Sequence, residues 1–84
     1  MAFELLWTEA AKRDLNGLPR ELVIRIIKKA EFSKQNPYRF MNKLAGRPEW
    51  RLRVGDYRVL CEIDFTQDKL KVLAVRHRST AYAR

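Results

Sequence analysis

Trp50-Arg51-Leu52-Arg53-Val54-Gly55-Asp56-Tyr57-Arg58-Val59-Leu60-Cys61-Glu62-Ile63-Asp64 is the stretch that decides the fold. On either side of Gly55-Asp56 the side chains alternate, the period of two expected of half-buried strands. Gly first in a two-residue connection suits a type II′ hairpin turn. With that loop, Val54 faces Tyr57, Arg53 faces Arg58, Leu52 faces Val59 and Arg51 faces Leu60. Directly opposed side chains share a face. Trp50, Leu52, Val54, Tyr57, Val59 and Cys61 therefore form an apolar face that should meet helices. Arg51, Arg53 and Arg58 line the other face. Like charges directly opposed destabilise a sheet unless an acid or a bound anion relieves them. Arginine suits the second arrangement, because its planar head offers several donors to a phosphate.

Working outward toward the C-terminus, Leu70 to Arg78 reads as a further strand, rich in Val and Leu. It brings Arg76, His77 and Arg78 to the basic side. A five-residue turn, Phe65 to Lys69, sets Arg76 opposite Arg58, whereas a four-residue turn, Thr66 to Lys69, sets His77 there. Both remain open on spacing alone. Tyr82 follows closely enough to reach back over the cationic floor.

Toward the N-terminus, Tyr38 to Glu49 is irregular, and its Tyr38, Phe40, Met41 and Leu44 are expected to plug one end of the core. Asn36-Pro37 ends a helix, since the residue before Pro avoids helical angles. That helix runs from Pro19 to about Gln35, with Leu22, Val23, Ile26, Ile27 and Ala30 on one stripe. A shorter helix from about Glu9 to Asn16 has Thr8 as N-cap and Gly17 as its C′ residue. The short connection predicts an antiparallel helical pair. Ala2 to Trp7 reads as the first strand. The order is β-α-α-β-β-β, an α+β domain with an antiparallel meander packed on two helices.

An 84-residue chain supports one domain, spanning 1–84, and one small core. Its net charge of +8 points to a polyanionic partner. One Cys and one His exclude an internal disulfide and a zinc site built on cysteines, and no metal is expected. The N-terminus lacks the basic and apolar regions of a signal peptide, and no apolar run spans a membrane, so a cytoplasmic location is expected. Cys61, Trp7 and Trp50 are assigned to packing.

Arginines beside a proton-transfer group make chemical sense for RNA cleavage. The reaction needs a base for the ribose 2′-OH, cations for the crowded phosphorane and an acid for the leaving 5′-oxygen. Arg51, Arg53, Arg58 and Arg76 supply the cations. His77 or Tyr82 would move the proton. Glu49 reads as a solvated carboxylate. Lys43, Arg47 and Arg78 are the expected RNA-backbone contacts.

The run from Lys43-Leu-Ala-Gly through Trp50-Arg-Leu-Arg-Val-Gly-Asp-Tyr-Arg-Val to Asp64 resembles the central signature of RelE-type toxins in the RelE/ParE superfamily. Val72-Leu-Ala-Val-Arg-His-Arg-Ser-Thr-Ala-Tyr resembles their closing strand. The likeness extends over essentially the whole chain. It implies a microbial-RNase-like fold and a toxin of a type II toxin–antitoxin system. It also implies a metal-independent endoribonuclease, needing no cofactor, that cuts mRNA in the ribosomal A site by 2′-OH attack and inhibits translation. The implied partners are a RelB-like antitoxin, the ribosome and mRNA, with no membrane and no small-molecule cofactor. By position, Arg51 and Arg53 match basic residues of the first hairpin strand. Arg58 and Arg76 match the phosphate-stabilising pair, which favours the five-residue turn. Tyr82 matches the Tyr that orients the cleaved nucleotide. Glu49 stands where some members have Lys, and His77 where some have an acid. The alternatives are a ParE-like toxin directed at DNA gyrase, a non-catalytic module that binds RNA or an antitoxin, and a free ribonuclease. Arg58, Arg76 and Tyr82 together favour the RelE branch.

Overall fold

The computed structural model describes residues 2–79. Its elements are β1 (Glu4–Trp7), α1 (Glu9–Asn16), α2 (Arg20–Ser33), α3 (Pro37–Phe40), β2 (Asn42–Lys43), β3 (Trp50–Val54), β4 (Tyr57–Asp64) and β5 (Lys69–His77). The hairpin of β3 and β4 has the register its alternation dictates, with Arg53 opposite Arg58 and Val54 opposite Tyr57. Gly55 takes φ +57°, while Asp56 stays out of the positive-φ region, as a type II′ turn requires.

The α+β class and the antiparallel β3–β4–β5 meander match the expectation. The structure adds to both sides of that meander, in the order β1-β5-β4-β3-β2. β1 joins β5 in parallel, with Leu5 beside Leu70 and Trp7 beside Val72. β2 extends β3 by two residue pairs, inside the stretch expected to be irregular. The same stretch begins with the helical turn α3, where Pro37 occupies the start of the helix. This position tolerates the missing N–H.

Leu52, Val54, Val59, Cys61, Leu70, Val72 and Val75 project from the sheet into one core with Ala11, Ile26 and Ala30 of the helices. Met41 is buried there as expected. Tyr38 instead lies at the surface, stacked on Phe65 with ring centroids 5.0 Å apart. Trp7 and Trp50 pack against the core, as their alternation implies. The helices are not chiefly packed on each other. α1 lies on β5 and α2 on β3.

Thr8 caps α1 by accepting from the Ala11 N–H at 3.2 Å. The same hydroxyl donates to the Val72 carbonyl at 2.8 Å, so the start of α1 is fastened to β5 where β1 ends. Gly17 closes α1, as expected, with φ −89°. Its N–H turns back onto the Asp14 carbonyl at 3.2 Å.

The second turn holds a correction. Asp64 pairs with Lys69, so the connection is Phe65–Asp68, shorter than the favoured five-residue turn and one residue earlier than the four-residue alternative. That register alone would offset Arg76 from Arg58. A β-bulge restores it, because Cys61 pairs with Val72 while the adjacent Leu60 pairs with Ala74. Leu73 is the extra residue. Strict alternation would place Arg76 on the same side as Leu70, Val72 and Ala74. The inserted residue inverts the pattern, so Val75 enters the core and Arg76 turns to the outer face opposite Arg58. Among the described residues, no helix is long and apolar enough to cross a membrane.

Candidate functional site

Three strands contribute one arginine each to a single rung of the outer face: Arg53 on β3, Arg58 on β4 and Arg76 on β5. The next rung carries Arg51, Leu60 and Ala74. Further along, the face becomes charge-balanced, with Lys71 Nζ 3.9 Å from a Glu62 carboxylate oxygen. The positive charge is thus concentrated at the end of the sheet nearest the Gly55-Asp56 turn.

Arg58 is the centre of the rung and its only buried member, at 5% exposure. Its Nη1 donates to the carbonyls of Tyr57 at 3.2 Å and Gly55 at 3.4 Å. Its Nε is buried and has no hydrogen-bond partner among the described residues. Desolvation makes Arg58 hold its proton less tightly than an ordinary arginine, and the neighbouring Arg53, Arg51 and Arg78 push in the same direction. Asp56 opposes them. An arginine in this setting stays charged, but it lies in a field that a bound anion would relieve. Arg78 is held close by its own N–H, which donates to the Asp56 carbonyl at 2.7 Å.

Arg76 is ion-paired with an acid from α1. Its Nη1 donates to Asp14 Oδ2 at 2.7 Å, and the Val75 N–H donates to the same oxygen at 2.9 Å. Asp14 had no part in the sequence reading. It did leave a signal: it sits in the last turn of α1, where the helix dipole disfavours an anion, so a partner outside the helix is to be expected.

His77 does not join the rung. It pairs with Tyr57, which places it on the opposite side of the sheet from Arg58 and Arg76. Its ring meets Tyr57 edge-on at 5.2 Å, and its Nδ1 lies 2.9 Å from Ser79 Oγ. The alternation that the bulge inverted for Arg76 moves its neighbour the other way. Lys43 also falls outside the floor. It pairs with Trp50 on the helix side, and its Nζ donates to the Arg47 carbonyl at 2.6 Å. Arg47 forms an ion pair with Glu49 at 3.2 Å, so Glu49 anchors the loop before β3 rather than standing as a solvated carboxylate. Tyr82 lies outside the described residues. No group of three or more His, Cys, Asp or Glu side chains is placed to hold a metal ion among the described residues.

A small α+β domain with a five-stranded mixed sheet and three helices is the fold of the toxins of type II toxin–antitoxin systems in the RelE/ParE superfamily. The profile of the family described as "ParE toxin of type II toxin-antitoxin system, parDE" matches residues 5–82, and the chain belongs to that family. Solved structures agree on the fold. The RelBE2 toxin–antitoxin complex of Mycobacterium tuberculosis includes a chain 27% identical to this one, at a TM-score of 0.86, covering 93% of this chain and 100% of its own. A chain of the RelB–RelE antitoxin–toxin complex of Methanococcus jannaschii is 25% identical at 0.74, covering 93% and 95%. The chromosomal ParDE system of P. aeruginosa shares the fold at 0.74 with 13% identity, over 90% and 96%. No curated protein matches the chain.

Proposed function

We propose that this toxin is a RelE-type endoribonuclease that cuts mRNA in the ribosomal A site and is held inactive by a RelB-like antitoxin. The observation that carries the reading is the arginine rung, with Arg58 buried at its centre and its Nε unpartnered among the described residues. A rung of opposed cations is costly in the empty protein and becomes favourable when a phosphate lies across it. The ribose 2′-oxygen loses its proton and attacks the adjacent phosphorus. The bond to the 5′-oxygen breaks, that oxygen takes up a proton, and a 2′,3′-cyclic phosphate remains. Arg58 and Arg76 donate to the non-bridging oxygens as negative charge grows on them. Arg53 and Arg51 hold the flanking backbone, and Arg78 extends the contact past β5. Guanidinium groups supply the positive charge that such a transition state needs, so the scheme uses neither metal nor cofactor. His77 lies on the far side of the sheet, so the proton transfers belong to groups other than His77. Ribosome dependence fits a site with strong charge and no paired base and acid among the described residues of the rung, since the ribosome would then orient the nucleophile. The structures carrying RelBE names, at 27% and 25% identity, support the RelE branch and an antitoxin partner of that kind.

The family description names ParE, and likeness to that branch implies a second reading, inhibition of DNA gyrase. Purified toxin incubated with mRNA, free or on ribosomes with an empty A site, separates the two. Cuts confined to the ribosome lanes support the first reading. Arg58→Ala and Arg76→Ala should then each slow cleavage about 100-fold, as loss of a transition-state donor does. No cleavage together with inhibited gyrase supercoiling would move the assignment to the second reading.

A further inference from the structure

The edge of β5 is covered by two different elements in succession. β1 pairs with it as far as Val72, and α1 takes over from there. At its start, Thr8 bonds to the Val72 carbonyl. At its end, Asp14 Oδ2 accepts from the Val75 N–H at 2.9 Å and from Arg76 Nη1 at 2.7 Å. The helix thus clips the strand on both sides of the Leu73 bulge. The two bonds at Asp14 make different demands. An edge N–H needs an acceptor, and a neutral amide oxygen would satisfy it. The guanidinium needs a negative charge, because Arg76 shares its rung with Arg58 and Arg53 and is repelled by both.

We propose that Asp14 is the positioning residue for Arg76. Its carboxylate holds the backbone beyond the bulge in register and fixes the guanidinium at the edge of the rung, leaving further N–H groups of the fork for a phosphate. This rests on the cleavage reading above, with Arg76 as a donor to the phosphorane. A donor already oriented need not reorganise as charge develops, and catalysis by preorganised dipoles depends on that. Without the carboxylate, repulsion from Arg58 and Arg53 swings Arg76 away from the site.

Asp14→Asn separates the two actions, since the amide oxygen still accepts from the Val75 N–H while the charge is gone. The expected result on ribosome-bound mRNA is a kcat lowered about tenfold with KM changed less than about twofold, the mark of an interaction made in the transition state. The same substitution in an Arg76→Ala background should cost nothing further, because the residues act as one unit. In nitrogen-resolved NMR of the free toxin, the Arg76 guanidinium should rotate slowly in the parent and freely in Asp14→Asn, with the Val75 amide still protected. Full activity in Asp14→Asn overturns the inference. So does an equal loss in the parent and Arg76→Ala backgrounds, because a purely structural acid would slow both. If Asp14→Asn loses its fold, Asp14→Glu provides the check: its restored charge should recover the rate, and no recovery overturns the inference. A parent that cleaves nothing overturns the proposed function and this inference together, whereas an active parent with an equally active variant overturns the inference alone.

Discussion

Thr8→Ala removes a side chain that joins the start of α1 to the strand carrying the bulge. The hydroxyl accepts from the Ala11 N–H at 3.2 Å and donates to the carbonyls of Val72 at 2.8 Å and Leu73 at 3.3 Å. Loss of a Thr N-cap costs about 1 kcal/mol. Loss of the bond to the Val72 carbonyl costs about 1 kcal/mol more. No orphan penalty is added at that carbonyl, because the Thr8 N–H still donates to it at 3.1 Å. The total is about 2 kcal/mol, which for a domain of this size lowers the melting temperature by roughly 8–16 °C. Urea unfolding followed by circular dichroism would give the value directly. The midpoint should fall with the slope unchanged, since the surface exposed on unfolding is the same. Thr8→Ser keeps the hydroxyl and should stay within about 0.5 kcal/mol of the parent. An alanine variant as stable as the parent, or a serine variant as damaged as the alanine one, would refute the assignment of these bonds as the clip that holds α1 on β5.

Gly55 and Gly46 both have positive φ, +57° and +69°, but a Cβ at Gly55 would stand 3.2 Å from Arg25 Nη2 whereas one at Gly46 meets nothing within 4 Å. Arg25 is exposed and its Nη2 ends a long side chain that can move aside. Gly55→Ala should still be the more destabilising, by about 1 kcal/mol, because the first position of a type II′ turn is one that only glycine adopts without strain. Thermal melts of the two variants should rank accordingly, and the opposite rank would refute the turn assignment. Burial pushes the Cys61 thiol up from 9.0 to about 12, so it should resist a disulfide reagent at pH 8 until the protein is unfolded. The sign of its linkage to stability follows. Below about pH 9 the thiol is protonated in both states and its contribution is complete. As pH rises from about 9 to about 12, the unfolded chain releases a proton that the folded chain retains, and stability declines. Cys61→Ala should show a shallower alkaline decline than the parent, and parallel curves would disprove the shift.

The hairpin was legible because a two-residue loop leaves no freedom in counting: once Gly55-Asp56 was the turn, every opposed pair in β3 and β4 followed. The pairing of Arg58 with Arg76 was legible for a different reason than the actual one. The family resemblance favoured a five-residue turn, while the chain uses a shorter turn and an extra residue at Leu73. A leucine that bulges and a leucine that packs look alike in a sequence, because hydrophobicity marks burial but not register. The same inversion hid the separation of Arg76 from His77. β1 could be recognised as a strand, but its parallel place beside β5 depends on contacts across nearly the full chain. Asp14 carried its clue in the wrong-signed charge at a helix end.

The bulge also bears on how the length of this chain can vary. Val72 and Ala74 already pair with the adjacent Cys61 and Leu60, so removing Leu73 alone would close the ladder without turning any flanking side chain to the other face. A single-residue deletion is ordinarily ruinous in a strand, yet here it has a position where both the apolar set below and the cation above keep their orientation. Homologous chains one residue shorter at this point can therefore carry the same rung. When such chains are aligned, the gap belongs at Leu73, because placing it beyond Val75 would match Arg76 with a residue that faces the core.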